Sequence, residues 1–205
     1  SFYNQASMNG KVEAVYPSPV IGMIGTIAKD KQMTMDFKTD GATVYLIGEM
    51  VDDISCSEYL YSYKGIKLSH APYFDIDKEA NMQKALSDLI NQGIIESAHD
   101  VSEGGLFIAM LESAMCRNFG FELYTSGEIR LDSFLFGEGQ GRVVVTVKAG
   151  KENDFIDMLN ISNVPCCAVG SVRADGVIMV DEEVFGKVSD FKTVYDNAIG
   201  DVLDK

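Results

Sequence analysis

The chain has 205 residues, and its 17 basic and 31 acidic residues give a formal net charge of −14 at pH 7. A surface with this charge repels the phosphates of nucleic acids and anionic membranes, so we expect electrostatic binding of neither. No apolar run approaches the roughly 18 residues that span a bilayer. No secretory signal pattern is visible, and we expect a cytoplasmic protein. A local pocket for one small anion is compatible with this composition.

The four cysteines, at positions 56, 116, 166 and 167, do not form a metal-binding pattern. None belongs to a C-x-x-C pair, and the two histidines show no ligand spacing with them, so the sequence does not favour a zinc site. The adjacent pair at 166 and 167 lies in an apolar run, where cysteine usually packs as a small hydrophobic residue. This usage is typical of a reduced, cytosolic protein.

The first half of the chain combines strand-like and helix-like patterns. Residues 20–28 (VIGMIGTIA) are apolar and rich in strand formers, whereas residues 77–91 carry apolar side chains at helical spacing before a stop signal at Gly93. Residues 1–11 are polar and lack a period. The predicted strands are 20–28, 42–48 and 94–98, and the predicted helices are 57–63 and 77–91.

The second half alternates helices and strands. Residues 103–118 are apolar on most sides, which predicts a largely buried helix. The dipeptide Asp175-Gly176 predicts a hairpin between the strands on either side of it. The predicted strands are 119–125, 142–148, Cys166–Arg173 and Val177–Val180, and the other predicted helices are 152–160 and Val188–Leu203. This order favours an α/β (α+β) fold, in which a mixed β-sheet carries helices packed mainly on one face.

The first segment that could carry chemistry is HDVSEGGL at residues 99–106, between a strand and the buried helix. Free backbone N–H groups at a helix start attract anions, and glycine lets a ligand oxygen approach the backbone closely. The functional interpretation is therefore a phosphate site, with Asp100 or Glu103 recruiting Mg²⁺. The alternative is an ordinary helix start, capped by Asp100 or Ser102, in which the glycines serve tight packing.

The second segment is FGEGQGR at residues 136–142. Its G-x-G-x-G spacing is typical of nucleotide-binding loops, but it precedes a strand and opens no helix, so the dinucleotide-binding context is missing. One interpretation is a simple turn into the following strand. The other is substrate contact by Gln140 and Arg142, since arginine can bind a phosphate through two hydrogen bonds.

These segments resemble, in the same order, those of one enzyme family. The quoted pieces are SFYNQ at 1–5, PSPVIG at 17–22, GE at 48–49, SEYL at 57–60, SAHDVSEGGL at 97–106 and FGEGQGRVVV at 136–145. They resemble the C-terminal part of the phosphoribosylformylglycinamidine synthase family, within a superfamily that includes aminoimidazole ribonucleotide synthetase and thiamin-monophosphate kinase. The resemblance spans nearly the whole chain, and the segment at 98–106 is its most specific piece.

The resemblance implies a place in a larger ligase. The family converts formylglycinamide ribonucleotide (FGAR) to its amidine in purine biosynthesis, with ATP, Mg²⁺ and ammonia from glutamine. Residues 1–16 would be the tail of an upstream sheet domain, and residues 17–205 the synthetase C-terminal α/β domain. The implied partners are the rest of the synthetase chain and the glutaminase. The family's catalytic histidine lies outside this part, so no catalytic residue is predicted.

For the site, the resemblance favours a ligand- or phosphate-facing loop. The predicted substrate- or phosphate-binding residues are Asp100, Ser102, Gly104, Gly105, Gln140 and Arg142. Asp100 is also the predicted metal ligand. The chain departs from the family pattern where Gly139 and Gly141 replace two serines, which removes two hydroxyl groups.

Two functions of different classes remain open at this point. In the first, the chain contributes one wall of the ligase active site and is inactive alone. In the second, it is a structural scaffold repeat that packs against the catalytic half and the glutaminase. An apolar face left uncovered by a missing domain would favour self-association of the chain.

Overall fold

A computed structural model describes residues 5–14 and 20–203 of the chain. The chain divides into two compact units, Ser1–Gln32 and Met33–Lys205. The predicted domain boundary between residues 16 and 17 lies outside the described residues, as do the quoted pieces at 1–4 and 17–19, so that division stays a prediction. Within the described residues, no helix is long and apolar enough to cross a membrane.

The first unit contains a β-hairpin that the sequence patterns did not predict. β1 (Gln5–Met8) and β2 (Lys11–Ala14) pair antiparallel around Asn9 and Gly10. These two residues have φ angles of 51° and 77°, which suit the centre of a two-residue hairpin turn. The strand predicted over 20–28 is wrong. Its apolar side chains are exposed, and no described strand lies beside it to bond its backbone.

The second unit is built on a seven-stranded mixed sheet. Its strands are β3 (Thr43–Ile47), β4 (Ile95–Asp100), β5 (Gly120–Leu123), β6 (Val143–Val147), β7 (Cys166–Arg173), β8 (Val177–Val180) and β9 (Glu183–Lys187). Their order across the sheet is β4-β6-β3-β7-β5-β8-β9. The β5–β8 pair is parallel and the other described pairs are antiparallel. The predicted α/β class with a mixed sheet is confirmed.

The predicted hairpin between β7 and β8 is wrong, because β5 lies between these two strands. The turn at Asp175-Gly176 crosses the start of β5 at Gly120. A Cβ atom on Gly120 would lie 2.9 Å from the carbonyl carbon of Gly176 and 2.5 Å from the backbone nitrogen of Val177. A residue without a side chain at this position therefore lets the turn pass over β5.

Helices cover both faces of the sheet, which corrects the prediction of one main face. The helices of the second unit are α1 (Ile76–Asn91), α2 (Gly105–Met115), α3 (Leu131–Phe136), α4 (Glu152–Ile161) and α5 (Val188–Leu203), with a π-helical turn at Tyr59–Tyr63. Successive side chains of a strand point to opposite faces. Val44 and Leu46 of β3 join a core with α2, α3 and the start of α5, whereas Ile47 joins one with α1 and α4.

α2 is the buried helix that its apolar sequence predicts. Nine of its eleven residues are buried, and seven of these belong to one hydrophobic core. The helix starts at Gly105 rather than at residue 103, because Gly104 has a φ angle of 85° and lies outside the right-handed helical region. This left-handed residue fixes how the chain enters α2.

α5 has the bounds that its sequence predicts, but its apolar face is largely uncovered. Val188 is its one buried residue among those described. Phe191 packs on the core that contains α2. The side chains of the following turns are exposed, among them Val194, Tyr195, Ile199, Val202 and Leu203.

Candidate functional site

The two predicted chemical segments meet at the start of α2. Gly104 and Gly105 both have positive φ angles, 85° and 72°. A Cβ atom on Gly105 would lie 2.7 Å from backbone atoms of Phe136 and 2.8 Å from the carbonyl oxygen of Gly137. Real Cβ atoms do not approach a backbone this closely, so glycine is required for the contact. We call the assembly of Gly104, Gly105, Gly137, Glu138 and Arg142 the glycine junction.

Glu138 holds the glycine junction together. Its Oε1 atom accepts a hydrogen bond from the backbone N–H of Gly104 at 2.8 Å and another from that of Glu58 at 2.8 Å. The Glu138 carboxylate thus accepts a hydrogen bond from a backbone N–H group at the helix start, where the sequence predicts a bound anion. Sequence reasoning missed this residue, although a carboxylate close to a helix N-terminus is a favourable arrangement that could have indicated it.

Arg142 turns into the protein instead of outward. Its residue exposure is 5%, its Nε donates to the carbonyl oxygen of Gly139 at 2.9 Å, and its Nη2 donates to that of Gly137 at 2.6 Å. Burial lowers the pKa of Arg142 from its usual value, and the carboxylate of Glu138 opposes that shift. The guanidinium therefore stabilises the loop that precedes β6.

Asp100 and Ser102 lie on the exposed side of the same region. The side chain of Asp100 is 76% exposed, and its Oδ1 lies 3.3 Å from Nδ1 of His99. The other ring nitrogen of His99 lies 2.8 Å from Oε2 of Glu112. No group of three or more histidine, cysteine, aspartate or glutamate side chains is arranged to hold a metal ion in residues 5–14 and 20–203.

A cleft of about 580 Å³ forms a second candidate site. It is lined by the start of α1, the end of α4, the residues around Gly48, and the loop of Gly139, Gln140 and Gly141. Its lining residues come from several separate segments of the chain. Sequence reasoning did not predict the cleft, because no single segment carries its pattern.

The structure divides the six predicted site residues into three groups. Gly104, Gly105 and Arg142 form internal contacts of the glycine junction. Asp100 and Ser102 are exposed beside it. Gln140 lines the cleft and is exposed there. The six residues therefore do not converge on one described pocket.

Comparisons with known proteins agree with this fold. The family described as "AIR synthase related protein, C-terminal domain" matches residues 39–181. The phosphoribosylformylglycinamidine synthase subunit PurL of Caldanaerobacter subterraneus is 36% identical over 180 residues. That alignment covers 87% of this chain but 24% of the relative, so the chain spans about a quarter of the length of this relative.

Solved structures show the same fold at low sequence identity. Thermotoga maritima PurL complexed with FGAR matches with a TM-score of 0.68 and 18% identity, over 78% of this chain and 29% of that one. The same protein complexed with ATP matches with a TM-score of 0.63 and 16% identity, over 80% and 27%. Because the family match covers more than half of the chain, this protein belongs to the family of AIR synthase related proteins and carries their C-terminal domain.

Proposed function

We propose that this chain is the C-terminal domain of a phosphoribosylformylglycinamidine synthase subunit, and that the complete protein forms an amidine from FGAR with ATP. The observation that carries the proposal is the 36% identity to a PurL subunit over 87% of the chain. This alignment of 180 residues is longer than the family match at residues 39–181. The chain covers 24% of that relative, so the activity belongs to the longer protein.

Within that enzyme, we propose that the exposed side chains beside the glycine junction face the ligand. Asp100 and Ser102 lie at the end of β4, just before α2, and Gln140 lies on the neighbouring loop. Gly104, Gly105 and Arg142 would act indirectly, because their contacts set the backbone that carries these side chains. A ligand brought by another part of the enzyme would meet the three polar side chains first.

ATP and Mg²⁺ are the cofactors that this activity requires, and the residues of this domain do not fit them. The described residues offer no set of three metal-binding side chains around Asp100. In the cleft, the phosphates of ATP would meet four carboxylates and one ammonium group that is already paired with Glu49. We therefore assign nucleotide and metal binding to other parts of the enzyme.

We further propose that the complete protein works in the cytoplasm with a glutaminase. Amidine formation requires a nitrogen donor. A partner subunit or domain would supply ammonia. The net charge of −14 supports a protein that stays away from nucleic acids and anionic membranes.

The experiment is a steady-state assay of the complete protein with FGAR, ATP, Mg²⁺ and ammonium. We expect FGAR-dependent ATP hydrolysis by the complete protein and none by the isolated chain. Asp100→Ala should raise the KM for FGAR roughly tenfold without lowering the thermal midpoint. Turnover by the isolated chain would contradict the proposal. ATP hydrolysis by the complete protein that does not depend on FGAR would contradict it as well.

A scaffold function is the second candidate, and the glycine junction favours it. Glu138 and Arg142 form these hydrogen bonds with backbone groups of the domain itself. A scaffold predicts that Asp100→Ala and Ser102→Ala leave the kinetics of the complete enzyme unchanged. Gly104→Ala should then lower only the thermal midpoint, since its Cβ would lie 2.8 Å from Cβ of Ile108.

A further inference from the structure

The cleft has the dimensions of a small-molecule site. Its volume of about 580 Å³ falls within the roughly 300–1,000 Å³ that ligand pockets occupy. Part of its wall is bare backbone, because Gly48 and Gly141 lie against each other so closely that a Cβ on Gly48 would overlap the carbonyl oxygen of Gly141. A flat ligand can approach such a wall without meeting a side chain.

Two aromatic rings line the cleft without a ring partner. Tyr73 is 77% exposed and Phe74 is 49% exposed. Within residues 5–14 and 20–203, neither ring stacks on another aromatic ring. The faces of such rings carry negative charge density, so they attract flat groups and cations. The rings thus offer a stacking surface at the edge of the cleft.

Four carboxamide side chains that line the cleft also have no hydrogen-bond partner in the part of the chain that the structure describes. They are Asn81, Gln140, Asn160 and Asn163. The described side-chain hydrogen bonds include none of these four amides, whereas Gln83 of the same helix is bonded to Glu79 at 2.7 Å. Free amide oxygens can accept hydrogen bonds from a ligand that donates several of them.

The charges of the lining residues determine which ligand charge the cleft favours. The lining residues include four with carboxylates, Glu49, Asp53, Asp75 and Glu79, and one with an ammonium group, Lys78. That ammonium is already 2.6 Å from a carboxylate oxygen of Glu49. The Oε2 atom of Glu79 lies 2.8 Å from where a Cβ on Gly141 would stand, so it reaches the glycine wall. An anion in this cleft would be repelled, and a cation attracted.

We propose that the cleft binds a flat organic cation, an amidinium or guanidinium group, stacked on Tyr73 or Phe74 with its N–H groups directed to Glu79 and the free amides. Such a group is planar, carries several donors and no acceptor, and pairs with a carboxylate through parallel hydrogen bonds. Each property matches one feature of the lining. The inference concerns the cleft, and of the three side chains proposed above to face the FGAR ligand it involves Gln140.

Two probes of nearly the same shape test the charge requirement. Benzamidine is a flat cation, and benzamide is its neutral counterpart. Each is titrated into the 205-residue chain and followed by amide chemical shifts. We expect benzamidine to bind about tenfold more tightly, with shifts at the start of α1 and at residues 139–141. Raising the salt from about 0.05 M to about 0.5 M should weaken that binding several-fold. Equal affinities, or no shifts in the cleft with either probe, would overturn the proposal.

Paired variants test the residues. Glu79→Gln keeps the shape of the side chain and removes its charge, so benzamidine should bind about fivefold more weakly. The control is Glu183→Gln, an exposed carboxylate on β9 that does not line the cleft. Tyr73→Ala should weaken binding in the same way, and Tyr195→Ala on α5 should not. Thermal unfolding checks that each variant is folded. Unchanged affinity in folded Glu79→Gln would rule out the assigned carboxylate.

Discussion

The glycine junction and the cleft lie in the same unit, and in both of them glycine lets two backbone segments lie in contact. In the junction, glycine lets two backbones touch, and the polar side chains of Glu138 and Arg142 are bonded to backbone groups. In the cleft, the contact of Gly48 with Gly141 leaves a wall without side chains, and several amide side chains have no hydrogen-bond partner among the described residues. A glycine-rich sequence therefore does not indicate by itself whether a loop binds a ligand or stabilises the fold. The partners of the nearby polar groups decide between the two.

The largest effect should come from filling the closest contact of the junction. Gly105→Ala places a methyl group against the backbone of Phe136, in a conformation with a φ angle of 72° that alanine rarely adopts. We expect a loss of about 4 kcal/mol in the free energy of unfolding, or failure to fold. Gly127→Ala is the control, since nothing lies within 4 Å of its Cβ position. Equal urea midpoints for the two variants would show that the junction is not tightly packed.

The next effect should come from the buried guanidinium. Arg142→Leu removes both hydrogen bonds and leaves the carbonyl oxygens of Gly137 and Gly139 without these donors. We expect a loss of about 3 kcal/mol, measured by urea unfolding. Arg130→Leu is the matched control, because its ion pair with Asp132 is exposed and should contribute less than about 1 kcal/mol. A small effect at Arg142 would contradict a stabilising role for these two hydrogen bonds.

A smaller loss should follow removal of the junction carboxylate. Glu138→Ala leaves the N–H groups of Gly104 and Glu58 without their acceptor. Because water can reach part of this region, we expect about 2 kcal/mol. Amide hydrogen exchange should become faster at these two positions. If a phosphate ion restores the lost stability in this variant, the helix start is an anion site that Glu138 normally closes.

The smallest effect should arise in the cleft, at the cap of α1. Hydrogen bonding of Asp75 to the backbone N–H of Lys78 lowers the pKa of that carboxyl below its usual value. A carboxyl group whose pKa is lowered by folding stabilises the protein when the pH is above the pKa of that group in the unfolded chain. This stabilisation is lost as the pH falls through the pKa of the group in the folded protein. Asp75→Ala should therefore reduce the thermal midpoint at pH 7, and the difference from the parent should shrink below about pH 4. Asp157→Ala on α4, which caps no helix start, is the control. A difference that persists at low pH would contradict the charged cap.

Sequence patterns predict much of this fold because they report local chemistry. The apolar periods of α1, α2 and α5 and the apolar run of β6 each lie within one segment, and the structure places these elements close to the predicted bounds. The predicted pairing of β7 with β8 is wrong because strand pairing depends on contacts between distant parts of the chain. A strand from elsewhere in the chain enters between them, and Gly120 makes that possible.

The candidate sites were harder to predict than the fold. Sequence chemistry singled out Arg142 as a group that could bind phosphate, but whether a guanidinium faces outward depends on carbonyl groups positioned by the fold. The cleft depends on residues from segments that are far apart in the chain, such as Gly48 and Asn163. The ligand-binding roles of Asp100 and Ser102 remain predictions that the kinetic variants test.

The uneven packing of α5 has a consequence for its dynamics. The helix is anchored at Val188 and Phe191, while the side chains of its later turns stay exposed among the residues that the structure describes. Isolated helices of this length are marginal in water. The amide hydrogens near Leu203 should therefore exchange with solvent much faster than those near Val188, as a gradient along one helix. If the amide hydrogens near Leu203 exchange as slowly as those near Val188, a second molecule, or a second copy of this chain, is bound to the apolar face of α5.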